Sequence, residues 1–139
     1  MAYDDNNVFA RILRGELPSA RVYEDDETLA FMDIMPRTDG HVLVIPKAPC
    51  RNLLDADPKA LAACMASARK VAHAVMAAFG AEGVTLLQAS EAAAGQEVYH
   101  LHFHVLPRCA GQKLGPPASK MAEPDVLKAN AEKIVAALG

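Results

Sequence analysis

The alternation of apolar and polar positions predicts short helices near both ends of the chain and strands around one long central helix. Apolar positions at helical spacing over 8–13 end at Gly15, which predicts one or two helical turns. β-branched and aromatic residues at 20–24 and 28–33 flank a polar turn and predict a hairpin. The run 41–46 is apolar through its centre and closes at proline, so it predicts a strand buried on both faces.

The long helix is predicted between Asp57 and Gly80, where apolar residues recur at helical spacing after an N-cap residue and a proline. Two further strands are predicted at 84–88 and 98–106, and an amphipathic helix is predicted at 124–138. The segments 1–7 and 111–122 are predicted to be irregular. Together these elements predict a single α+β domain over 1–139, built on a five-stranded antiparallel sheet.

Composition and charge exclude several classes of protein. The 139 residues are 52% hydrophobic and 22% charged, a balance typical of one packed globular domain. The net charge of -3 provides no field that would attract a nucleic-acid polymer. The acidic start at 1–7 does not resemble a secretory signal, and no apolar run approaches a membrane span of ~18 residues. With three scattered cysteines, we expect a cytoplasmic protein without a membrane partner.

The histidines carry the candidate chemistry. Three of the five occur as His100, His102 and His104, and in a predicted strand these side chains would share one face. Such a row could bind a metal ion, or it could supply a nucleophilic imidazole that attacks phosphorus. The preceding turn, 94–97, contains Gly95 and could offer backbone N–H groups to a phosphate. No cysteine lies in this segment, which weakens the metal hypothesis.

The run His100-Leu-His-Phe-His-Val-Leu106 resembles the His-φ-His-φ-His-φ-φ signature of the histidine triad (HIT) nucleotide hydrolases and transferases, in particular their nucleotide-binding (Hint) branch. The segments 8–26, 31–36, 40–47 and 94–98 are similar to the family's first helix, strands and pre-triad turn. The resemblance extends in order from Val8 to Arg108. It implies a HIT-like fold, a homodimer and a purine nucleotide substrate derived from AMP or GMP, with no cofactor.

The resemblance also implies roles for individual residues. His102 would attack the α-phosphorus to form a nucleotidyl-histidine, His100 would orient it, and His104 would contact the phosphate and the leaving group. His41 would complete the proton network. Asp33 would accept hydrogen bonds from the ribose. The positions implied to enclose the base, each equally interpretable as core, are Phe9, Ile12, Phe31, Ile34 and Leu43. The positions implied on the phosphate side are Ser90, Gly95, Gln96 and Glu97.

The chain departs from the family pattern at several positions. Asn7 and Ala10 stand where many relatives have a zinc-binding Cys-x-x-Cys, so we expect no metal site there. Ala89 replaces an amide near the scissile phosphate, and Ser90 is the candidate substitute. An ionised Glu97 cannot donate to phosphate, so we expect its side chain to face solvent. His73, in the middle of the long helix, is interpreted as structural.

The resulting hypothesis is a purine nucleoside phosphoramidate hydrolase. One alternative is a dinucleoside polyphosphate hydrolase, for which Arg108 and Lys113 could contact the longer anionic chain. A second is a nucleotide-binding module with weak catalysis, suggested by Ala89, and a third is a metal-binding protein that uses the histidine row.

Overall fold

The computed structural model describes residues 3–139, and the first two residues of the predicted irregular segment 1–7 lie outside the described part. The helices and strands in that part are α1 (Val8–Leu13), β1 (Arg21–Glu24), β2 (Thr28–Met32), β3 (Val42–Pro46), α2 (Pro58–Phe79), β4 (Gly83–Leu87), β5 (Phe103–Arg108) and α3 (Pro124–Leu138), with a 3-10 turn at Ala92–Ala94. The described residues of 1–7 and all of 111–122 form neither helix nor strand.

The long helix begins and ends where its capping residues predict. The side chain of Asp57 accepts a hydrogen bond from the backbone N–H of Lys59, and Pro58 occupies the first turn. Gly80 ends the helix with a φ of 59°, a conformation that glycine adopts without steric cost. Within residues 3–139, no helix combines the length and the hydrophobicity needed to cross a membrane.

The five strands form one antiparallel sheet in the order β1-β2-β3-β5-β4, which confirms the predicted fold class. Side chains of β2 and β3 alternate between the two faces of the sheet, and every residue of both strands is buried. On one face, Val42 and Val44 join the core that includes residues of α2 and α3. On the other face, Leu43 and Ile45 cluster with Phe9 of α1. The strand predicted at 41–46 is therefore buried on both faces, as expected.

The last predicted strand is displaced. It runs over Phe103–Arg108 rather than 98–106, so His100 and His102 precede it. Pairing with β3 stops at Val44 opposite Phe103, and the backbone N–H of Leu101 instead donates to the carbonyl of Cys50. The strand continues through Pro107, which pairs only with β4 beyond the end of β3, where the missing N–H is tolerated.

Candidate active site

Four histidines lie in or just before two neighbouring strands, β3 and β5. His41 immediately precedes β3, His104 lies within β5, and the β3–β5 pairing brings these two together. The ring centroids of His41 and His104 are 5.1 Å apart, and those of His102 and His104 are 5.0 Å apart. Although His100 and His102 are outside the strand, Leu101, Phe103 and Val105 all reach the main core. The predicted alternation of histidines and core residues therefore persists in the residues before β5.

The protonation of His102 follows from its hydrogen-bond partner. Its Nδ1 lies 2.8 Å from the carbonyl oxygen of His100, and a carbonyl can only accept, so Nδ1 carries the proton. Burial lowers the pKa of His102, which favours the neutral ring at pH 7. The edge-on ring of Phe9, with centroids 5.0 Å apart, restrains the imidazole. The Nε2 lone pair is then available to act as a nucleophile.

A chain of hydrogen bonds also defines the protonation of His41 and His104. The backbone N–H of Arg37 donates to Nδ1 of His41 over 3.1 Å, so neutral His41 carries its proton on Nε2. That Nε2 lies 2.9 Å from Nδ1 of His104, which must accept, and neutral His104 is therefore protonated on its own Nε2. Asp33 Oδ2 lies 3.4 Å from His41 Nε2. This chain of hydrogen bonds leaves the Nε2–H of His104 available as a donor.

Burial keeps His41 and His104 in their neutral forms. It lowers the pKa of His41 to about 3, with His104 and Arg37 as further causes. Burial lowers the pKa of His104 to about 4, with His102 and Arg37 as further causes. Burial acts in the opposite direction on Asp33 and raises the pKa of its carboxyl group. At neutral pH both imidazoles are therefore neutral, and the Nε2–H of His104 can orient a water that relays a proton.

The same atoms could hold a cation, but their protonation disfavours it. Ligand atoms of Asp33, His41 and His104 lie within 4.8 Å of one another. A neutral imidazole that coordinates a metal through Nε2 needs its proton on Nδ1, yet Nδ1 of His41 already faces the N–H of Arg37. His100 is no better as a ligand, because its ring nitrogens lie 2.6 Å from the Tyr3 hydroxyl and 2.8 Å from the Pro46 carbonyl. The donor set fits proton relay better than metal binding.

The residues expected around the base lie mainly together, on the α1 face of the sheet. Phe9, Ile12, Phe31 and Leu43 belong to one buried cluster, in which the rings of Phe9 and Phe31 meet edge to face at 5.3 Å. Ile34 is 50% exposed. The four clustered residues, without Ile34, serve as core. Because Phe9 also touches His102, their cluster extends to the histidines.

Asp33 directly follows β2 and lies between the backbone N–H of Met35 and the ring of His41. Its Oδ1 accepts a hydrogen bond of 2.8 Å from the N–H of Met35, and its Oδ2 faces His41. The carboxylate is thus fixed in orientation while its side chain keeps 19% exposure. A ribose hydroxyl could reach only the remaining lone pairs.

In the turn before the histidines, the backbone N–H groups of Gly95 and Gln96 bond within the turn. The N–H of Gly95 donates to the carbonyl of Ala92, and that of Gln96 donates to the carbonyl of Glu91. Both groups therefore stabilise the 3-10 turn. Gly95 has a φ of 100°, which explains the glycine. Ser90 donates its hydroxyl proton to Gln88, within the same loop.

Gln96 and Glu97 differ sharply in environment. The side chain of Gln96 is buried, and its amide uses both donors and its acceptor oxygen within the protein. Its Nε2 donates to the carbonyls of Arg51 and Val98, and its Oε1 accepts from Asn52 and from the N–H of Glu91. Glu97 is exposed, as expected for a carboxylate that cannot donate to phosphate. Gln96 thus supports the turn.

An ion pair that the sequence did not reveal anchors this turn. Arg51 contacts Glu91 through two hydrogen bonds of 2.7 and 2.9 Å, and Asn52 adds a third of 2.6 Å. Glu91 has a φ of 74°, which is unusual for a residue with a Cβ and requires such restraint. Arg51 also stacks over the ring of Tyr99, 4.1 Å from its centroid. Because Arg51 and Glu91 are 40 residues apart in the sequence, no local pattern could have identified this ion pair.

One family model and three known proteins are similar to this chain. The model of the HIT domain family matches residues 14–111. An uncharacterized HIT-like protein of Azospirillum brasilense is 45% identical over 120 residues, covering 85% of this chain and 96% of the relative. The Arabidopsis thaliana protein named adenylylsulfatase HINT3 is 39% identical over 101 residues, which cover 73% of this chain and 51% of that one. A Hit-like protein of Bartonella henselae has a crystal structure that is 52% identical, covers 98% of this chain and 99% of its own, and superimposes with a TM-score of 0.92.

Proposed function

The chain belongs to the HIT domain family, and we propose that it is a purine nucleoside phosphoramidate hydrolase that acts through a nucleotidyl-histidine. The observation that carries the proposal is the protonation of His102. With its Nδ1 proton donated to the His100 carbonyl, the opposite nitrogen holds a lone pair next to His104. The substrates would be phosphoramidates of AMP or GMP.

In the first step, Nε2 of His102 attacks the α-phosphorus, and the bond from phosphorus to the leaving nitrogen breaks. The departing amine takes one proton from a solvent water that the Nε2–H of His104 orients, and bulk solvent returns a proton to that water. In the second step, water attacks the phosphorus, the P–Nε2 bond breaks and its electron pair returns to His102. The attacking water releases one proton to solvent, so the enzyme is restored.

Two kinds of contact would hold the nucleotide. Asp33 would accept from the ribose, and the buried cluster on the α1 face, with the exposed Ile34 at its margin, would border the base. The pre-triad turn, with Ser90, Gly95, Gln96 and Glu97, would border the phosphate. Since the Gly95 and Gln96 amides are already hydrogen bonded, we assign this turn a supporting role.

Adenylyl sulfate is a second candidate substrate, favoured by the name of the Arabidopsis relative, of which this chain covers about half. The chemistry at phosphorus would be the same, but sulfate is a stable anion and leaves without a proton. Loss of the proton relay should therefore slow phosphoramidate hydrolysis more than adenylyl sulfate hydrolysis. A dinucleoside polyphosphate substrate is less well supported, because the guanidinium of Arg108 already donates to Thr85 and to the carbonyl of Gln112.

We propose that the protein works as a homodimer, as the resemblance implies. The outer edge of β4 is one of the two edges of the sheet, and this strand exposes Leu86 and Leu87 by 45% and 38%. An apolar edge strand is a favourable surface for pairing with a second copy. Light scattering should give twice the mass of 14.8 kDa, and Leu87→Asp should shift it toward the monomer.

The proposal is tested by measuring AMP release from adenosine 5'-phosphoramidate, adenylyl sulfate and diadenosine tetraphosphate. We expect the phosphoramidate to be hydrolysed by the wild type and not by His102→Ala. Calorimetric AMP binding, measured on both proteins, controls for an intact nucleotide site. Binding of AMP without turnover of any of the three substrates would overturn the hydrolase proposal in favour of a nucleotide-binding module.

A further inference from the structure

The segment before α1 reaches the first triad histidine. The hydroxyl of Tyr3 lies 2.6 Å from Nδ1 of His100, across 97 residues of sequence. The two rings also meet edge to face, with centroids 5.7 Å apart at an angle of 66°. With Tyr3 in place, His100 is only 1% exposed. We call residues 3–7 the N-terminal arm.

The partners of His100 fix its tautomer. Its Nε2 lies 2.8 Å from the carbonyl oxygen of Pro46, which can only accept, so Nε2 carries a proton. The opposite nitrogen of the neutral ring must then accept, and the Tyr3 hydroxyl donates to it. Burial raises the pKa of Tyr3, which keeps the phenol protonated and able to donate. Both ring nitrogens are therefore satisfied, and the ring is held from both sides.

The effect of this restraint passes to His102. The backbone carbonyl of His100 accepts the Nδ1 proton of His102, so the position of residue 100 determines the tautomer and orientation of the next histidine in the row. Since the two bonds to the His100 ring anchor this residue on both sides, they also anchor its carbonyl. Without the Tyr3 hydroxyl, a buried acceptor would lose its partner and the ring could reorient.

The arm itself is fastened to α1. The side-chain amide of Asn7 donates to the carbonyl of Asp4 over 2.8 Å, and it also caps α1 by accepting from Ala10. The guanidinium of Arg14 donates to the carbonyl of Asp5 over 2.7 Å. These bonds hold the backbone of the arm against the helix, so that Tyr3 is delivered to His100 from a fixed base.

We propose that Tyr3 is a positioning residue, which holds His100 in its Nε2-protonated tautomer and through the His100 carbonyl orients His102 for attack. The inference rests on the proposed function of His102 as the nucleophile. Tyr3 contacts neither the substrate nor a reacting atom, and it acts only through His100. The N-terminal arm thereby supports the active site without lining it.

The test compares Tyr3→Phe, which removes only the hydroxyl, with Tyr23→Phe as a control. Tyr23 donates its hydroxyl proton to Asp25 on the outer strand β1, away from the histidines. In steady-state hydrolysis of adenosine 5'-phosphoramidate, Tyr3→Phe should lower kcat about 10-fold and leave KM within about twofold, because an indirect hydrogen bond is lost. The control should match the wild type in both constants.

Histidine-selective 15N NMR provides the readout that separates positioning from stability. In the wild type, we expect His100 to be protonated on Nε2 alone and His102 on Nδ1 alone. In Tyr3→Phe, both should show mixed tautomers. Unchanged kcat together with unchanged tautomers would overturn the inference, even if the variant melted at a lower temperature.

The wild-type protein gives a measurement that needs no variant. The hydroxyl proton of Tyr3 should exchange slowly with water and show a nuclear Overhauser effect to the His100 ring. The absence of this nuclear Overhauser effect would overturn the inference. If the wild type hydrolysed no phosphoramidate, the proposed function would fail while the tautomer comparison still tested the role of Tyr3.

Discussion

Replacing His41 with glutamine tests whether the histidine chain is neutral in the folded protein. Burial places the pKa of His41 at about 3, against 6.5 for an ordinary imidazole. Between these two values the unfolded chain binds a proton that the folded protein excludes. Stability is therefore highest above pH 6.5 and falls as the pH drops toward 3.

The magnitude follows from that shift. Each pH unit inside this window costs about 1.4 kcal/mol, so acidification from about pH 7 to about pH 4.5 should remove about 2.5 kcal/mol through His41 alone. Glutamine offers an amide donor toward His104 and an acceptor toward the Arg37 N–H, but it does not titrate. His41→Gln should therefore start less stable at neutral pH and lose about 2.5 kcal/mol less on acidification.

Urea unfolding at a series of pH values measures this difference in slope. His73→Gln is the matched control, because it removes an exposed imidazole from α2. We expect the control to keep the wild-type pH dependence. If His41→Gln lost stability on acidification as steeply as the wild type, His41 would not be held neutral by burial, and the proton chain derived from the Arg37 N–H would be wrong.

Other parts of the site give further predictions. Arg51→Gln should lower kcat/KM about 10-fold through loosening of the pre-triad turn, with faster amide exchange at Gly95, and unchanged exchange would count against the anchor. Asp33→Asn should weaken AMP binding about 10-fold by calorimetry, since one acceptor becomes a donor, whereas wild-type affinity would exclude the ribose contact. Dialysis against a chelator should leave activity unchanged, and loss restored by a divalent cation would contradict the relay. Leu43→Ala should cost about 2–5 kcal/mol of unfolding free energy, because this buried side chain packs against α1, and a smaller cost would place it outside the core.

Local sequence patterns sufficed for most of the fold. The limits of α2 follow from Asp57, Pro58 and Gly80, which act within a few residues of themselves. The continuous apolar run of β3 also predicted that this strand is buried on both faces. The strand of the histidines was displaced because its backbone pairing depends on distant partners. The carbonyl of Cys50 takes the N–H of Leu101, and nothing near residue 101 predicts this contact.

The candidate site likewise combines features that the local sequence predicts with features that depend on distant residues. The spacing of the row identified His100, His102 and His104, and the family resemblance added His41. The ring of His104 contacts those of His41 and His102. What makes them chemically distinct is their protonation, which is determined by the N–H of Arg37, the hydroxyl of Tyr3 and the carbonyl of Pro46. Each of these contacts depends on backbone geometry or on chain segments far apart in sequence. The burial of the Gln96 side chain was likewise not predicted, since its partners Arg51 and Asn52 come from another loop.

Intact-mass spectrometry during turnover tests the nucleotidyl-histidine most directly. Wild-type protein mixed with adenosine 5'-phosphoramidate and quenched within the first turnover should carry one added adenylyl group, and peptide mapping should place it on His102. His102→Ala should carry none, while Tyr23→Phe should label as the wild type does. AMP release from wild type without any adduct, or an adduct that persists in His102→Ala, would contradict covalent catalysis at this residue.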